Sequence, residues 1–382
     1  MDFVREQTNR APLALLDLPV DILTLLPKYL ANIEDYLNVS STCRHLRECM
    51  SKASPNTILH LAAAQRNVFF RPAPHLLVCA TAAQLGQWAR KSDKNEAALQ
   101  EALLEGIYGM LDLSLKHCGL TMQRIRELHL MRFSIVNPVT DIIDKCVGVQ
   151  WYSIPDFWYG GASDAYTISA DPSVSLFHLA IYGELFAPDF DSILNKDTTA
   201  RRLGVDTRLE YIKYCVPDWH TDVIDYGEYE SYDAAIAAGC DPRRANKPTG
   251  PYRRTDGECP DLKHDHNYAL STTLESSRWR PHWKAARQQA GGEFDGAFFF
   301  LKDRWNSHEA WRQRMWEAVC ICQGLEGLGM MRPQLRPQWI EKMKEWRERI
   351  AALEKEPAEV TVGEEKTREY PFLIGDLLVC VD

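Results

Sequence analysis

Between Ala11 and Met50 prolines stand at 12, 19 and 27, so the first half of this stretch can form only short helices. Pro19 can open the first one, with Asp17 placed to cap it and Asp21 in its first turn. Leu18, Ile22, Leu25, Leu26, Tyr29 and Leu30 then recur at helical spacing. Pro27 lacks a backbone N–H and crowds the preceding turn, so this helix should break or kink near Leu26. A second short helix fits Ile33–Val39. A third carries Cys43, Leu46 and Met50, with Ser40, Ser41 or Thr42 available as its cap. Helices this short, within about forty residues, bury too little apolar surface to stand alone. Their apolar faces must dock on the rest of the chain or on a partner protein.

The residues of this stretch also carry a resemblance. Leu18-Pro19-x-Asp21-Ile22-Leu23 is followed by Leu26, Tyr29-Leu30, Asp35, Leu37 and Thr42-Cys43-Arg44-x-Leu46-Arg47. That order resembles the F-box, the module by which substrate receptors dock on the Skp-type adaptor of cullin ubiquitin ligases. Pro27 departs from the commonest pattern, in which the first helix continues. The resemblance covers only about a tenth of the chain. It implies an adaptor-binding face anchored by Leu18, Pro19, Ile22, Leu26, Leu30, Leu37 and Leu46. Some of these residues must instead hold the three helices together, and the sequence does not divide the two roles.

The remainder is large enough to fold around such a module. The chain has 382 residues, which suits two to three domains of about 150 residues. Apolar residues make up 45% and charged residues 25%, enough to build a core and too apolar for wholesale disorder. The 44 Lys and Arg against 53 Asp and Glu give a net charge of −9, which argues against a polybasic nucleic-acid binder. None of the 11 cysteines forms a C-x-x-C pair, so reduced thiols are expected. The opening residues MDFVREQTNR do not begin as a secretory signal, and no apolar run approaches the length of a membrane span. A cytoplasmic or nuclear protein is therefore expected, with Asn38-Val39-Ser40 left unglycosylated.

Downstream, TILHLAAAQ (57–65), ALQEALLEGIYGMLDLSLKHCG (98–119) and SLFHLAIYGEL (175–185) look alike, and 233–241 closes in a similar way. Small residues and closing glycines make them resemble ankyrin helices, although the gaps between them are irregular. Generic Ala/Leu helices capped by glycine would read the same way. Further helices are predicted over Thr121–Phe133, with Ile125, Leu128 and Met131 on one face, over Asp141–Val147 and over Arg202–Cys215. Residues 150–170 are rich in aromatics and turn formers and read as an irregular loop, as does Pro242–Pro281. In the C-terminal part, His308–Leu325 sets Trp311, Met315, Val319 and Cys322 near one face, with Trp316 and Cys320 beside it. Pro337–Glu354 spaces Trp339, Met343, Trp346, Ile350 and Leu353 at intervals of 4, 3, 4 and 3. This stripe suits a core-facing helix or a short coiled coil. Phe372–Ile374 and Leu377–Val381 read as strands around Gly375-Asp376.

The expected architecture is mostly α. An F-box-like module spans 11–55 and irregular ankyrin-like helix pairs span 56–245. A loop-rich linker or insertion covers 246–305, and a helical region with a small β element covers 306–382. No G-x-S-x-G, G-x-x-x-x-G-K-[ST] or H-E-x-x-H motif occurs. Gly160-Gly161-Ala162-Ser163-Asp164 lacks a phosphate-loop lysine and reads as a turn. Cys240, Cys259, His264 and His266, with Asp261 and Asp265 among them, are spaced poorly for zinc and read as a polar loop. Without C-x-x-C pairs the chain has no RING-type ligand set, which fits a non-catalytic adaptor that borrows its chemistry from an assembled complex. The expected partners are a Skp-type protein, a cullin through it, and an unidentified protein substrate. No cofactor, nucleic acid or membrane partner is expected. Two alternatives stay open: a Skp-binding protein acting outside the ligase, and an enzyme or small-molecule binder built on 57–382.

Overall fold

In the computed structural model, the described residues are 14–64, 74–141, 172–197, 199–215, 285–292, 294, 311–355, 359–362 and 365–368. They are mostly α-helical, as the sequence predicts.

Residues 14–50 form three short helices, α1 (Val20–Leu23), α2 (Ile33–Thr42) and α3 (Arg44–Met50), with two 3-10 turns, Leu15–Asp17 and Leu26–Tyr29. Pro27 lies in the second turn, and the first helix ends at Leu23, three residues before the break expected near Leu26. The caps differ from the sequence reading. Asp17 closes the preceding 3-10 turn, its carboxylate accepting from the Ala14 N–H, and makes no cap on α1. Asn32 caps α2 by accepting from the Glu34 and Asp35 N–H groups at 2.9 Å each. Ser40, Ser41 and Thr42 do not cap α3. Their hydroxyls donate back to the carbonyls of Leu37 and Val39, which extends α2 by three residues beyond Val39. Cys43 caps α3 instead, its Sγ accepting from the Leu46 N–H at 3.5 Å.

The body follows as α4 (Pro55–Ala63), α5 (Pro74–Ala89), α6 (Asp93–Leu104), α7 (Gly106–His117), α8 (Met122–Met131), α9 (Pro172–Leu194) and α10 (Val205–Cys215). Next come α11 (Trp311–Ile321), α12 (Gly324–Gly327) and α13 (Pro337–Ala351). The predicted segment 98–119 divides at Gly106, whose φ of +64° is open to glycine and turns the chain from α6 into α7. Lengths from 9 residues in α4 to 23 in α9 give no steady repeat. The His60 and His178 that suggested one are also unlike, exposed in α4 and fully buried in α9.

Helix α5 is apolar nearly all round, with Leu76, Leu77, Val78, Ala82 and Leu85 buried, and it packs between α7 and α9. Helix α9 is likewise apolar but carries Pro188 in its interior. Proline cannot supply the N–H that its turn requires and loosens the carbonyls behind it. Arg90 at the end of α5 meets this need, its Nη2 donating to the Leu185 carbonyl at 2.7 Å. The same guanidinium donates to the Asp189 carboxylate at 3.0 and 2.7 Å. Met343, Trp346 and Ile350 of α13 are buried and α13 packs on α11, so the 4-3-4-3 stripe faces the core. One buried apolar cluster runs from Ile33 to Leu353 and joins the N-terminal helices, α4–α10 and the C-terminal helices.

Strands β1 (Glu359–Val362) and β2 (Glu365–Arg368) pair antiparallel, with Glu359 opposite Arg368 and Val362 opposite Glu365. The small β element thus lies earlier than the predicted strands at 372–381, which fall outside the described residues. So do the loop 150–170, Gly160–Asp164, Pro242–Pro281 and the Cys240/Cys259/His264/His266 set.

Candidate functional site

The N-terminal module has a core of its own. Leu23, Leu46 and Cys49 are buried together, with Leu18, Leu26, Val39 and Cys43 packed around them. The other side of the module joins the main core through Ile33, Tyr36 and Met50. Tyr36 fixes α2 to the end of α3, its hydroxyl donating to the Met50 carbonyl at 2.8 Å. Burial pushes the Tyr36 phenol up, and the positive charge of Arg126 on α8 pulls it partly back.

This core divides the seven residues singled out by sequence. Leu46, 4% exposed, is interior and takes no part in the open surface. Leu18, Leu26 and Leu30 are half-buried, and Leu26 touches both cores. Pro19, Ile22 and Leu37 are exposed. Leu23, not among the seven, is fully buried beside Leu46. In a four-residue helix, adjacent positions differ by only about 100° of rotation, so Ile22-out and Leu23-in cannot be told apart by period.

The exposed apolar set extends past the sequence-derived anchors. Leu15, Leu16, Val20, Leu25 and Tyr29 are exposed alongside Ile22 and Leu37, Tyr29 at 81%. Among the described residues, seven of the eleven exposed large hydrophobic side chains fall between Leu15 and Leu37. Leu25 and Tyr29 carried a signal in the apolar spacing of the first helix. Leu15 and Leu16 precede the F-box-like motif and carried none.

Beside this surface lies a groove of about 610 Å³. One wall is α2 and α3, contributing Leu37, Ser40, Ser41 and Arg47; the other is the start of α8, contributing Met122 and Arg126. Its floor is the chain from Ser51 to Ile58 with Leu120. That floor is locked by Asn56, whose Nδ2 donates to the carbonyls of Leu115 at 2.7 Å and Cys118 at 3.0 Å. The Leu120 N–H donates to the Pro55 carbonyl at 2.9 Å.

Among the described residues, no three His, Cys, Asp or Glu side chains are placed to hold a metal ion. Cys43, Cys49, Cys79, Cys118, Cys215, Cys320 and Cys322 are free thiols. Burial pushes the Cys79, Cys215 and Cys322 thiols up, and Cys118 to about 11, which keeps them protonated and poorly nucleophilic. Among the described residues, no helix is long and apolar enough to cross a membrane. No family model, curated protein or solved structure matches the chain.

Proposed function

We propose that the chain is a non-catalytic substrate-recognition adaptor. Its N-terminal module docks on a Skp-type protein, and the helical body presents a protein substrate to a cullin ubiquitin ligase. One observation supports this reading: the crowding of exposed apolar side chains between Leu15 and Leu37, on a module whose private core holds only Leu23, Leu46 and Cys49. A large exposed apolar surface is costly in water and marks a surface that a partner covers. The pattern agrees with the F-box-like order of residues 18–47, and helix-in-groove association is the binding mode such short amphipathic helices support.

The test is co-purification of the full chain with a Skp-type adaptor. The wild-type chain is expected to retain the adaptor through gel filtration. A variant carrying Pro19→Ala and Ile22→Asp is expected to lose it while its thermal melt stays unchanged. Retention of the adaptor by that variant, or by a chain lacking residues 1–55 that remains folded, would overturn the proposal. Recovery of the cullin in the same complex separates a ligase receptor from a Skp-binding protein acting outside the ligase.

A further inference from the structure

The groove between the N-terminal module and α8 has a chemistry that the apolar surface does not share. Arg47 enters from α3 and Arg126 from α8, and among the described residues no acidic side chain lines the groove. Both arginines are exposed. Arg47 donates only to the Ser40 carbonyl, at 3.3 Å, and neither guanidinium meets a carboxylate among the described residues. Several other arginines are paired with carboxylates: Arg44 with Glu48, Arg90 with Asp189, Arg124 with Glu326, Arg201 with Asp93 and Glu96; Arg312 and Arg332 instead donate to the carbonyls of Leu353 and Ser134. In a chain of net charge −9, two unpaired arginines facing one groove without an acid are a local reversal of sign.

The rest of the lining suits an extended polypeptide better than a small ion. Leu37, Ile58 and Met122 offer apolar contact, and Ser40 and Ser41 offer hydroxyls. A volume of about 610 Å³ is that of several side chains rather than one anion. The first residues of α8 line it too, adding the positive end of a ten-residue helix. Nucleic acid is disfavoured, because affinity for a phosphate backbone grows with the number of phosphates neutralised and the groove offers only two arginines.

We infer that this groove binds a short acidic segment of a partner polypeptide. Its carboxylates pair with Arg47 and Arg126 while an intervening apolar side chain rests against Ile58 and Met122. Naming that segment as part of the ligase substrate rests on the adaptor reading above. Binding itself does not, since the groove is formed by this chain alone.

The experiment uses the purified full chain and fluorescently labelled octapeptides that alternate Glu with Leu, Val, Phe or Tyr. Matched sets replace Glu by Gln or Lys. At least one Glu series is expected to bind, at least tenfold more tightly than its Gln counterpart, and to weaken steeply with salt. Arg47→Glu with Arg126→Glu is expected to abolish binding, and Arg47→Gln with Arg126→Gln to weaken it at least tenfold, with unchanged melting and unchanged Skp-adaptor binding. Equal binding of Glu and Gln peptides, no binding of any Glu peptide, or full affinity in the Gln variant would overturn the inference. Binding of inorganic pyrophosphate without any Glu peptide would overturn it in favour of a small-anion site. Loss of adaptor binding by the wild-type chain would count against the proposed function alone.

Discussion

Truncating Leu46 and truncating Ile22 should have opposite consequences, although both belong to the same F-box-like motif. Leu46 is 4% exposed and shares a small core with Leu23 and Cys49. Leu→Ala in a core costs about 2–5 kcal/mol, and a cluster this small can partly collapse, so Leu46→Ala should cost ~2 kcal/mol of stability. Ile22 is 47% exposed, and trimming it should change stability by less than ~0.5 kcal/mol. On docking the account inverts. Ile→Ala removes three carbons, each contributing about 0.8 kcal/mol when fully buried. Only the 47% of Ile22 still open can be newly buried, which leaves ~1.1 kcal/mol, or roughly a sixfold weaker Kd. Urea melts give the first quantity, and calorimetric titration of a purified Skp-type adaptor gives the second. A Leu46→Ala chain is expected to melt early and to bind weakly only to the extent that the module is unfolded. An Ile22→Ala chain that melts as early as Leu46→Ala, or binds the adaptor unchanged, would refute the division of the motif into core and surface.

Further expectations concern the body. Burial pushes the Glu184 carboxyl up from 4.5 to about 7, with Glu326 pushing the same way. The folded state thus holds a proton that the unfolded chain releases, so stability present below about pH 4.5 is lost as pH rises through about 7. Glu184→Gln should remove that fall, a gain of up to about 3 kcal/mol at pH 8 and little at pH 4, read from urea midpoints across pH. Asp189→Ala should cost about 3–5 kcal/mol, because it strands the largely buried Arg90 guanidinium beside Pro188, and Asp189→Asn should cost less by keeping a hydrogen bond to it. Gly324 has φ +69°, and a Cβ there would clash with the Glu184 side chain, so Gly324→Ala should lower the melting temperature by more than backbone strain of about 1 kcal/mol would.

What could be read from the sequence follows how local each interaction is. Ile125, Leu128 and Met131 of α8, and Met343, Trp346 and Ile350 of α13, are buried as their spacing foretold, because helices of ten and fifteen residues present a full face. Thr121 caps α8 as expected, accepting from the Arg124 N–H at 3.1 Å. At α3 the same logic failed: three hydroxyl residues in a row compete for carbonyls one turn back, and the cap fell to Cys43. The Arg90–Asp189 pair spans 99 positions, and the groove brings residues 36–58 against 120–126, so neither has a local signature. Pro188 was the one available clue, since a proline inside an apolar helix demands a donor from elsewhere.

The exposed apolar set proposed as a docking surface is a different case, because its signal is a surplus. Residues 15–30 hold Leu15, Leu16, Leu18, Val20, Ile22, Leu23, Leu25, Leu26, Tyr29 and Leu30. A core of Leu23, Leu46 and Cys49 seats only a few of them. Apolar residues in excess of the interior available to them must lie on the outside, whichever ones they are. Periodicity therefore located the segment, while packing around Leu46 decided its membership. Leu37 is exposed like Ile22 and also lines the basic groove, so it belongs to both sets. A bulky partner on one should therefore be felt at the other. Leu37→Ala is the single change that ought to weaken both adaptor and acidic-peptide binding, while Arg126→Gln weakens only the peptide and Ile22→Ala only the adaptor.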